Sequence, residues 1–373
     1  MFCKNYIPAL QGELKEVLLM EKRKKVVFIL RIIMISFSII CIIGLPPWDG
    51  LWALMKPLPD TIQEEVNNST RLGLDGIVVY VDEAGEHPAF YTAGWKDRDK
   101  QIPADSESYF KIASISKLYI ASAYAKLIHA QRLSLDDILT DFFPEYFGRI
   151  EYADQITLRM MLQHRSGILN YTDQPGFRWD NPTKTNEESL ELIFDKPAAF
   201  APNEDYGYSN TNYLLLRDIL DKVLGYSHNQ YIKEEILEPL GLESTFFSLN
   251  EVDINDVMSG YYVGVDTDFK LIDTGMVATA EDVGIFIRAL NDGSLLSDEE
   301  QAIYTSIYEY EHTGWVLGYY SIARYHEDID TVVVQFVNTN GGTPLINIFD
   351  TQGGTKVMVS NAIYDRIIRI IRK

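Results

Sequence analysis

Residues 109–131 read YFKIASISKLYIASAYAKLIHAQ, and this stretch decides how the rest of the chain is interpreted. Tyr109 to Ala113 predicts an extended segment. From Ser114 to Gln131, small and apolar residues fall on nearly every face of a helix, which is typical of a helix buried on all sides. The sequence therefore predicts that the tetrad Ser114-Ile115-Ser116-Lys117 stands where an extended segment meets a core helix.

The segments on either side of this helix predict strands. Gly76 to Val81 and Ala89 to Ala93, joined by a polar turn, are typical of a hairpin. Near the C-terminus, Gly314 to Ala323 and Thr331 to Val337 predict two more strands, and an amphipathic helix follows over Lys356 to Lys373. Strands at both chain ends around a helical middle indicate an α/β fold of the α+β kind. N- and C-terminal segments would form one antiparallel sheet flanked by helices, with an inserted helical lobe.

The folded part is expected to span residues 51–373. Roughly 320 residues exceed the size at which one compact core usually keeps growing, so two lobes are expected. The predicted α/β lobe comprises about 68–135 and 280–373, and the helical lobe about 136–279. The basic residues of the last helix, which include Arg366, are expected on a solvated face.

The N-terminus predicts a membrane segment. Basic residues 22–25 precede an apolar run, residues 26–45, that is interrupted by Arg31 and two serines. Twenty helical residues rise about 30 Å, which matches a bilayer core, and basic residues ahead of the run keep the N-terminus inside. We predict a signal anchor over residues 20–50 and an extracytoplasmic domain on the cell membrane, with a cleaved signal peptide as the alternative. Residues 1–19 would be a cytoplasmic tail or a misassigned start.

Composition excludes several classes of protein. The chain has 33 Lys and Arg against 54 Asp and Glu, a formal net charge of -21, and such a field repels a nucleic-acid backbone. Cys3 and Cys41 are the only cysteines, so the rest of the chain excludes a disulfide scaffold, a cysteine-ligated metal and a cysteine nucleophile. The six histidines lack metal-ligand spacing, and nucleotide-loop and zinc-protease motifs are absent. We therefore expect no cofactor and no metal.

Ser114 and Lys117 are candidate catalytic residues. They are three residues apart, so on a helix they share one face and the ammonium can approach the hydroxyl. A lysine among apolar side chains has its charged form disfavoured, so it can accept a proton near neutral pH. The N–H groups of a helix start would also stabilise an oxyanion beside Ser114. Alone the signal is weak, because S-x-x-K pairs arise by chance and serine at a helix start is commonly an N-cap.

Two further polar motifs follow along the chain. Tyr208-Ser209-Asn210 precedes a helix-like segment from Tyr213 to Leu224, and His312-Thr313-Gly314 opens a predicted strand. Taken singly, the first is a helix-capping turn and the second a strand start. The three motifs together are hard to explain in this way.

In motif order and spacing, the chain resembles the serine β-lactamase and penicillin-binding-protein superfamily. The resemblance is to its class C-like branch, which includes the Streptomyces-type D-alanyl-D-alanine carboxypeptidase. It covers about Asp75 to Thr339. It also rests on the stretches Ala93-Gly94-Trp95-Lys96-Asp97-Arg98, Leu162-Gln163-His164-Arg165-Ser166-Gly167, Glu238-Pro239-Leu240-Gly241-Leu242 and Ala278-Thr279-Ala280-Glu281-Asp282. The resemblance implies a β-lactamase/transpeptidase-like fold with an active site between the sheet and the helical lobe.

The resemblance also implies roles for the motif residues. Ser114 would attack a carbonyl to form an acyl-enzyme, with Lys117 taking part in its activation. Tyr208 would be the general base for the attack and the general acid for the leaving group, its phenol pKa lowered by nearby positive charge. The N–H groups of Ser114 and Trp315 would form the oxyanion hole. The residues expected to contact substrate are Asn210, His312, Thr313 and Gly314.

The implied function is that of a membrane-anchored serine hydrolase, D-alanyl-D-alanine carboxypeptidase-like or esterase-like, acting on D-Ala peptides, β-lactams or esters. His312 stands where class C β-lactamases have lysine, which disfavours a dedicated β-lactamase. A β-lactamase and a low-turnover penicillin- or muropeptide-binding sensor module are the alternatives. Glu311 beside the pocket would disfavour a substrate that ends in a free carboxylate. We expect His164 to be structural and the stretch Tyr304 to Tyr310 to serve packing.

Overall fold

A computed structural model describes residues 20–38, 55–342 and 354–373 of the chain. Residues 20–38 form a helix, α1. Within these described ranges, no helix is both long enough and apolar enough to cross a bilayer. The signal anchor expected over 20–50 extends into residues 39–50, and the expected tail or misassigned start is residues 1–19. Both stretches lie outside the described residues, so these two expectations stay predictions.

Among the described residues, the main sheet is antiparallel and has six strands, in the order β3 (Ile102–Pro103), β2 (Ala89–Asp97), β1 (Gly76–Glu83), β10 (Thr331–Val337), β9 (Tyr319–His326) and β8 (His312–Val316). It joins N-terminal to C-terminal strands through the pair β1 and β10, in which Val79 lies opposite Gln335. This confirms the predicted fold class. The described strands are β1 (Gly76–Glu83), β2 (Ala89–Asp97), β3 (Ile102–Pro103), β4 (Phe110–Lys111), β5 (Thr245–Phe246), β6 (Tyr261–Tyr262), β7 (Val277–Ala278), β8 (His312–Val316), β9 (Tyr319–His326), β10 (Thr331–Val337) and β11 (Thr339–Asn340).

Helices cover both faces of the sheet. Besides α1, the described α-helices are α2 (Ile62–Arg71), α3 (Ser116–His129), α4 (Leu139–Phe142), α5 (Leu158–Leu162), α6 (Asn186–Glu191), α7 (Asn210–Leu224), α8 (His228–Ile232), α9 (Glu238–Leu240), α10 (Ala280–Asp292), α11 (Asp298–Thr305) and α12 (Gly354–Ile371). Strand β1 is buried on both sides because its side chains alternate between two cores. Ile77 and Val79 pack with α2 and α12, whereas Val78 and Tyr80 share a core with α3 and α10. The core helix of the nucleophile motif therefore lies on one side of the sheet.

The prediction of one strand over Gly314 to Ala323 is wrong. The chain forms a hairpin instead, in which β8 ends at Val316, Leu317 and Gly318 turn, and β9 begins at Tyr319. Gly318 has φ +82°, and a Cβ there would lie 2.5 Å from the carbonyl carbon of Gly260. Glycine is thus required by both conformation and space. The hairpin makes β8, with the motif that begins at His312, an edge strand of the sheet.

Helices α2 and α12 are joined by a buried ion pair. Arg366 of α12 contacts Glu65 of α2 at 2.8 Å, and both side chains are 2% exposed. The Arg366 guanidinium also donates to the carbonyl oxygens of Lys56 and Pro57 at 2.7 and 2.9 Å. The expectation that Arg366 lies on a solvated face is therefore wrong, because its charge is needed to pair Glu65 in the interior.

Candidate active site

Ser114 lies in a single 3₁₀ turn, Ala113–Ile115, that joins β4 to α3. Ala113 adopts φ +50°, a left-handed conformation that costs on the order of 1 kcal/mol for a residue with a Cβ. The residue that precedes α3 as its N-cap is Ile115, which makes no side-chain cap. The alternative interpretation of Ser114 as a helix cap is therefore wrong, and its hydroxyl has other partners.

The Ser114 hydroxyl is bracketed by the two side chains that the motifs predict. Tyr208 OH donates to Ser114 Oγ at 2.8 Å, and Lys117 Nζ lies 3.2 Å from the same oxygen. Lys117 Nζ also donates to Asn210 Oδ1 at 3.0 Å. The structure therefore brings residues that are up to 96 positions apart in sequence into one hydrogen-bonded group around Ser114 Oγ.

Lys117 is poised to change its protonation state near neutral pH. Its side chain is buried and faces the rings of Tyr208 and Tyr213, with Nζ 5.1 and 5.4 Å from their centroids. Burial, together with the positive charge of Arg217, lowers the pKa of Lys117 to about 7. A substantial fraction of the amine is thus neutral at pH 7 and can accept a proton.

The expected lowering of the Tyr208 pKa is wrong. Burial raises the pKa of the Tyr208 phenol to about 12, although its hydrogen bond with Ser114 favours the ionised form. The expectation relied on a nearby cation, but burial has the largest effect on the Tyr208 pKa, and burial also leaves a substantial fraction of Lys117 uncharged at neutral pH. At neutral pH the phenol is therefore protonated and serves as a hydrogen-bond donor to Ser114.

Edge strand β8 approaches the nucleophile turn backbone to backbone. A Cβ on Gly314 would lie 2.2 Å from the carbonyl oxygen of Ile112 and 2.3 Å from Ser321 Oγ. The same Ser321 hydroxyl donates to the Ile112 carbonyl at 3.3 Å. Glycine at 314 therefore allows the strand to lie against the segment that precedes Ser114. Thr313 and Trp315, on either side of Gly314, line the same cleft as Ser114.

His312 is neutral, and its tautomer follows from its partners. Its Nδ1 lies 2.5 Å from the Thr313 carbonyl oxygen, which can only accept, so Nδ1 carries the proton. Its Nε2 then accepts from Tyr308 OH at 3.0 Å. Burial lowers the His312 pKa to about 4, and the charge of Lys117 acts in the same direction. Tyr308, which the sequence assigned to packing, is thus a polar neighbour of the site.

Asn210 is held in place by the loop that follows α5. Its backbone N–H donates to Asn170 Oδ1 at 3.0 Å, and its Nδ2 donates to Thr172 Oγ1 at 3.2 Å. These contacts fix the amide so that its oxygen faces Lys117. Asn170 and Thr172 were not identified as site residues from the sequence because no catalytic motif includes them.

His164 packs behind the tyrosine. Its ring lies 4.4 Å from that of Tyr208, and its Nδ1 accepts from the Ser209 N–H at 3.2 Å. Burial lowers the His164 pKa to about 3, so the ring is neutral. His164 therefore positions the Tyr208 segment and carries no charge into the site.

A cleft of about 620 Å³ opens in front of Ser114. One wall is aromatic: Phe177 meets Trp179 edge-on with ring centroids 5.0 Å apart, and Trp179 meets Trp315 in the same way at 5.1 Å. Glu311 is not part of this cleft and pairs instead with Arg324 of β9 at 3.3 Å. The expected repulsion between Glu311 and a substrate carboxylate is therefore absent. Among the residues that the structure describes, no group of three or more His, Cys, Asp or Glu side chains is arranged to hold a metal ion.

Solved structures of known enzymes and binding proteins share this fold. D-amino acid amidase from Ochrobactrum anthropi SV3, complexed with L-phenylalanine amide, aligns with a TM-score of 0.71 and 23% identity over 83% of this chain and 97% of that one. A penicillin-binding protein from Bacillus halodurans aligns with a TM-score of 0.66 and 19% identity over 82% and 99%. At these identities the likeness shows the fold alone.

Sequence relatives point to the same group. Penicillin-binding protein 4* of Bacillus subtilis (strain 168) is 28% identical over 170 residues, which are 45% of this chain and 37% of the relative. Protein flp of Staphylococcus aureus (strain MW2) is 28% identical over 207 residues, 52% of this chain and 41% of the relative. The matched part thus spans about two fifths of each relative's length. The family model described as Beta-lactamase matches residues 60–306, which include the motifs of Ser114 and Tyr208, so the chain belongs to the beta-lactamase family.

Proposed function

We propose that this chain hydrolyses amides or esters through an acyl-enzyme formed at Ser114. The observation that carries the proposal is the position of the Ser114 hydroxyl, 2.8 Å from the Tyr208 phenol and 3.2 Å from Lys117 Nζ. A hydroxyl between a proton donor and an amine with a pKa near neutrality is the arrangement that an activated serine needs.

In acylation, the proton of the Ser114 hydroxyl moves to the neutral Lys117 amine while Oγ bonds to the substrate carbonyl carbon. The N–H groups of Ser114 and Trp315 are the proposed donors to the resulting oxyanion. This assigns the base's part in the attack to Lys117 rather than Tyr208, because a phenol pKa of about 12 keeps Tyr208 protonated.

The phenol of Tyr208 then protonates the leaving amine or alkoxide as its bond to the carbonyl carbon breaks. The phenolate then recovers a proton from the Lys117 ammonium, whose Nζ lies 5.1 Å from the centroid of the Tyr208 ring, so both groups return to their starting protonation states. In deacylation, a water oxygen bonds to the acyl carbon, its proton passes to the same pair, and Ser114 leaves as the hydroxyl. One water is consumed for each bond that is hydrolysed.

The proposed substrates are D-alanyl-D-alanine-like peptides, amides of D-amino acids, or esters. The amidase neighbour and the penicillin-binding relatives support an acyl donor of this kind. The contact of Glu311 with Arg324 removes an obstacle to substrates with a free carboxylate. A β-lactamase would need fast deacylation of a β-lactam, and His312 in place of lysine disfavours it by resemblance.

The second candidate is a module that binds penicillin or muropeptides and turns over poorly. Slow deacylation is enough to convert an acyl-serine hydrolase into such a binder. Turnover is favoured over this alternative because Lys117 and Tyr208 both contact Ser114 and can transfer the protons that deacylation requires. A protein that only binds its ligand does not need these proton transfers.

A substrate panel tests the proposal. The full chain and Ser114→Ala are incubated with a penicillin, a D-Ala-D-Ala peptide, D-phenylalanine amide and an aryl ester, and intact mass and product are followed over time. We expect a transient adduct and product with at least one acyl donor, both absent from the variant. An adduct that persists without product supports the binder, and the absence of any Ser114-dependent adduct or product refutes both.

We further propose that the domain acts outside the cytoplasm and is tethered to the cell membrane by residues 20–50. The support is the sequence pattern alone, a basic prefix followed by an apolar run. Protease added to intact cells would digest the domain if this is correct and leave it whole if it is not.

A further inference from the structure

The helix that begins at Asn210 presents one face to the cleft beyond the catalytic residues. Asn210, Tyr213, Leu214 and Arg217 all line the cleft, and spacings of three and four residues place them in a row along α7. A helix rises 1.5 Å per residue, so Arg217 lies about 10 Å along the axis from Asn210. The cleft therefore extends from the Ser114 hydroxyl to a guanidinium at its far end.

This guanidinium has no protein partner in the described ranges. Arg217 is partly buried, and it forms no hydrogen bond or ion pair with another described residue. The adjacent carboxylate of Asp218 accepts from Asn186 Nδ2 at 2.6 Å and forms no ion pair with Arg217; burial raises the Asp218 pKa to about 6, although the charge of Arg217 acts in the opposite direction. Two exposed carboxylates, Asp173 and Asp273, also line the cleft, but neither pairs with Arg217. A guanidinium in this situation is placed to receive an anion from a ligand.

One wall of the same cleft is apolar and aromatic. Phe177, Trp179 and Trp315 form a chain of edge-on contacts along it. Edge-on aromatic walls bind flat apolar groups by area and by ring geometry. A ligand that fits this cleft thus has a reactive carbonyl at Ser114, an apolar body along the wall and a negative charge at Arg217.

We propose that the far end of the cleft is a subsite for a carboxylate on the acyl part of the substrate, bound by Arg217. The inference rests on the proposed acyl-serine function and names its substrate class, acyl groups with an aromatic or apolar body and a distal carboxylate. Arg217 is a binding residue in this assignment and takes no part in bond making.

A charge effect accompanies the proposed binding. The positive charge of Arg217 helps to hold the Lys117 pKa low. A carboxylate bound to Arg217 offsets that charge, so the Lys117 pKa rises in the complex. The acid limb of kcat should therefore lie at higher pH for a carboxylate-bearing substrate than for its neutral analogue.

A matched pair of esters tests the subsite. The probes are 4-nitrophenyl 4-phenylbutanoate and 4-nitrophenyl 4-(4-carboxyphenyl)butanoate, which differ only in the distal carboxylate. Wild type, Arg217→Gln and the control Lys233→Gln are compared. Lys233 is exposed and lies outside the cleft, so its variant removes the same charge elsewhere. We expect wild type and the control to favour the carboxylate ester about tenfold in kcat/KM, and Arg217→Gln to lose this preference through a higher KM.

The outcomes separate the subsite from the proposed function. Equal kcat/KM for the two esters in wild type, or an equal loss on both in Arg217→Gln, overturns the subsite. Binding of 4-(4-carboxyphenyl)butanamide and 4-phenylbutanamide to Ser114→Ala, measured by calorimetry, gives a readout without turnover. If neither ester is consumed but the carboxylate amide still binds in an Arg217-dependent manner, the subsite stands and hydrolysis of these acyl esters is refuted.

Discussion

Lys111 and Lys117 are two buried lysines on either side of Ser114 in the sequence. They are alike in burial and in pKa but differ in the atoms that they contact. They are 2% and 6% exposed, and burial lowers the pKa of each to about 7. Lys111 Nζ donates to the carbonyl oxygens of Phe269 and Ile272 at 2.7 and 2.5 Å. Lys117 Nζ instead contacts the hydroxyl of Ser114. The carbonyl oxygens can only accept, so the N–H groups of Lys111 are committed to them and no proton is offered to its amine, whereas the Ser114 hydroxyl can donate its proton to a neutral Lys117 amine.

The comparison teaches that a low lysine pKa marks burial and does not identify a catalytic group. The chemistry of the contacting atoms decides the role. Lys111 ties the backbone of residues 269–272 to β4, and the next residues, Asp273 to Gly275, line the cleft. Lys111 therefore shapes the rim of the cleft, and Lys117 acts inside it.

The largest expected difference is in activity. Lys117→Met removes the base that contacts Ser114, and we expect kcat/KM to fall about 10³-fold. Lys111→Met leaves every group around Ser114 in place, so kcat/KM should stay within about fivefold of wild type. Steady-state rates of both variants with one ester measure this. Equal losses of kcat/KM in the two variants would contradict the assignment of Lys117, and not Lys111, as the base.

The second expectation concerns Tyr208. If its phenol protonates the leaving group, Tyr208→Phe should lower kcat about 10²-fold for an amide and much less for a 4-nitrophenyl ester. The nitrophenolate leaves without a proton, so it bypasses the general acid. Parallel rates on an amide and an ester of the same acyl group provide the test. An equal loss on both would return the base's role to Tyr208.

For the free energy of unfolding we expect the opposite ranking, with the larger loss in the Lys111 variant. Lys111→Met leaves two buried carbonyl oxygens without a donor, and we expect the free energy of unfolding to fall by about 1–3 kcal/mol. Lys117→Met should not lower it, because burial opposes the Lys117 charge and water in the cleft can reach Asn210. Urea unfolding of both variants at pH 7 measures this. A greater loss for Lys117→Met would contradict it.

The last expectation concerns the pH dependence of kcat/KM. Only neutral Lys117 can accept the Ser114 proton, so kcat/KM should fall about tenfold per pH unit as the pH drops below about 7, and level off above it. His312 is already neutral there, since its pKa is about 4. The limb should therefore persist in His312→Gln and in Lys111→Met. If the acid limb disappears in His312→Gln, the titrating group is His312 and not Lys117.

Sequence patterns predicted the sheet, the core helix and the gathering of three motifs because each depends on short-range periodicity or on a resemblance in motif order. They failed where three-dimensional burial decides. The pKa of Tyr208 could not be anticipated, since it depends on how deeply two side chains from different segments are enclosed together. The pairing of Glu65 with Arg366 joins positions 301 apart, and no local pattern marks it.

The missed turn at Gly318 has a different cause. Residues 314–323 are rich in apolar and aromatic side chains, so a single strand and a tight hairpin have similar composition. Three neighbours of the site belong to no catalytic motif, and their places in it depend on tertiary structure. They are Tyr308, which contacts His312, Asn170, which contacts Asn210, and Arg217, which lines the cleft. Helix spacing from Asn210 is the one signal that could have found Arg217.

The absence of a side chain at Gly314 has a consequence for how this cleft can change over time. The spacing at its catalytic end is set where the backbone of β8 rests against the Ile112 carbonyl, so substitutions elsewhere in the cleft leave that spacing intact. The opposite end is built from side chains, among them Arg217 and Trp179. New acyl preferences can therefore evolve there one residue at a time while the geometry of bond cleavage is preserved.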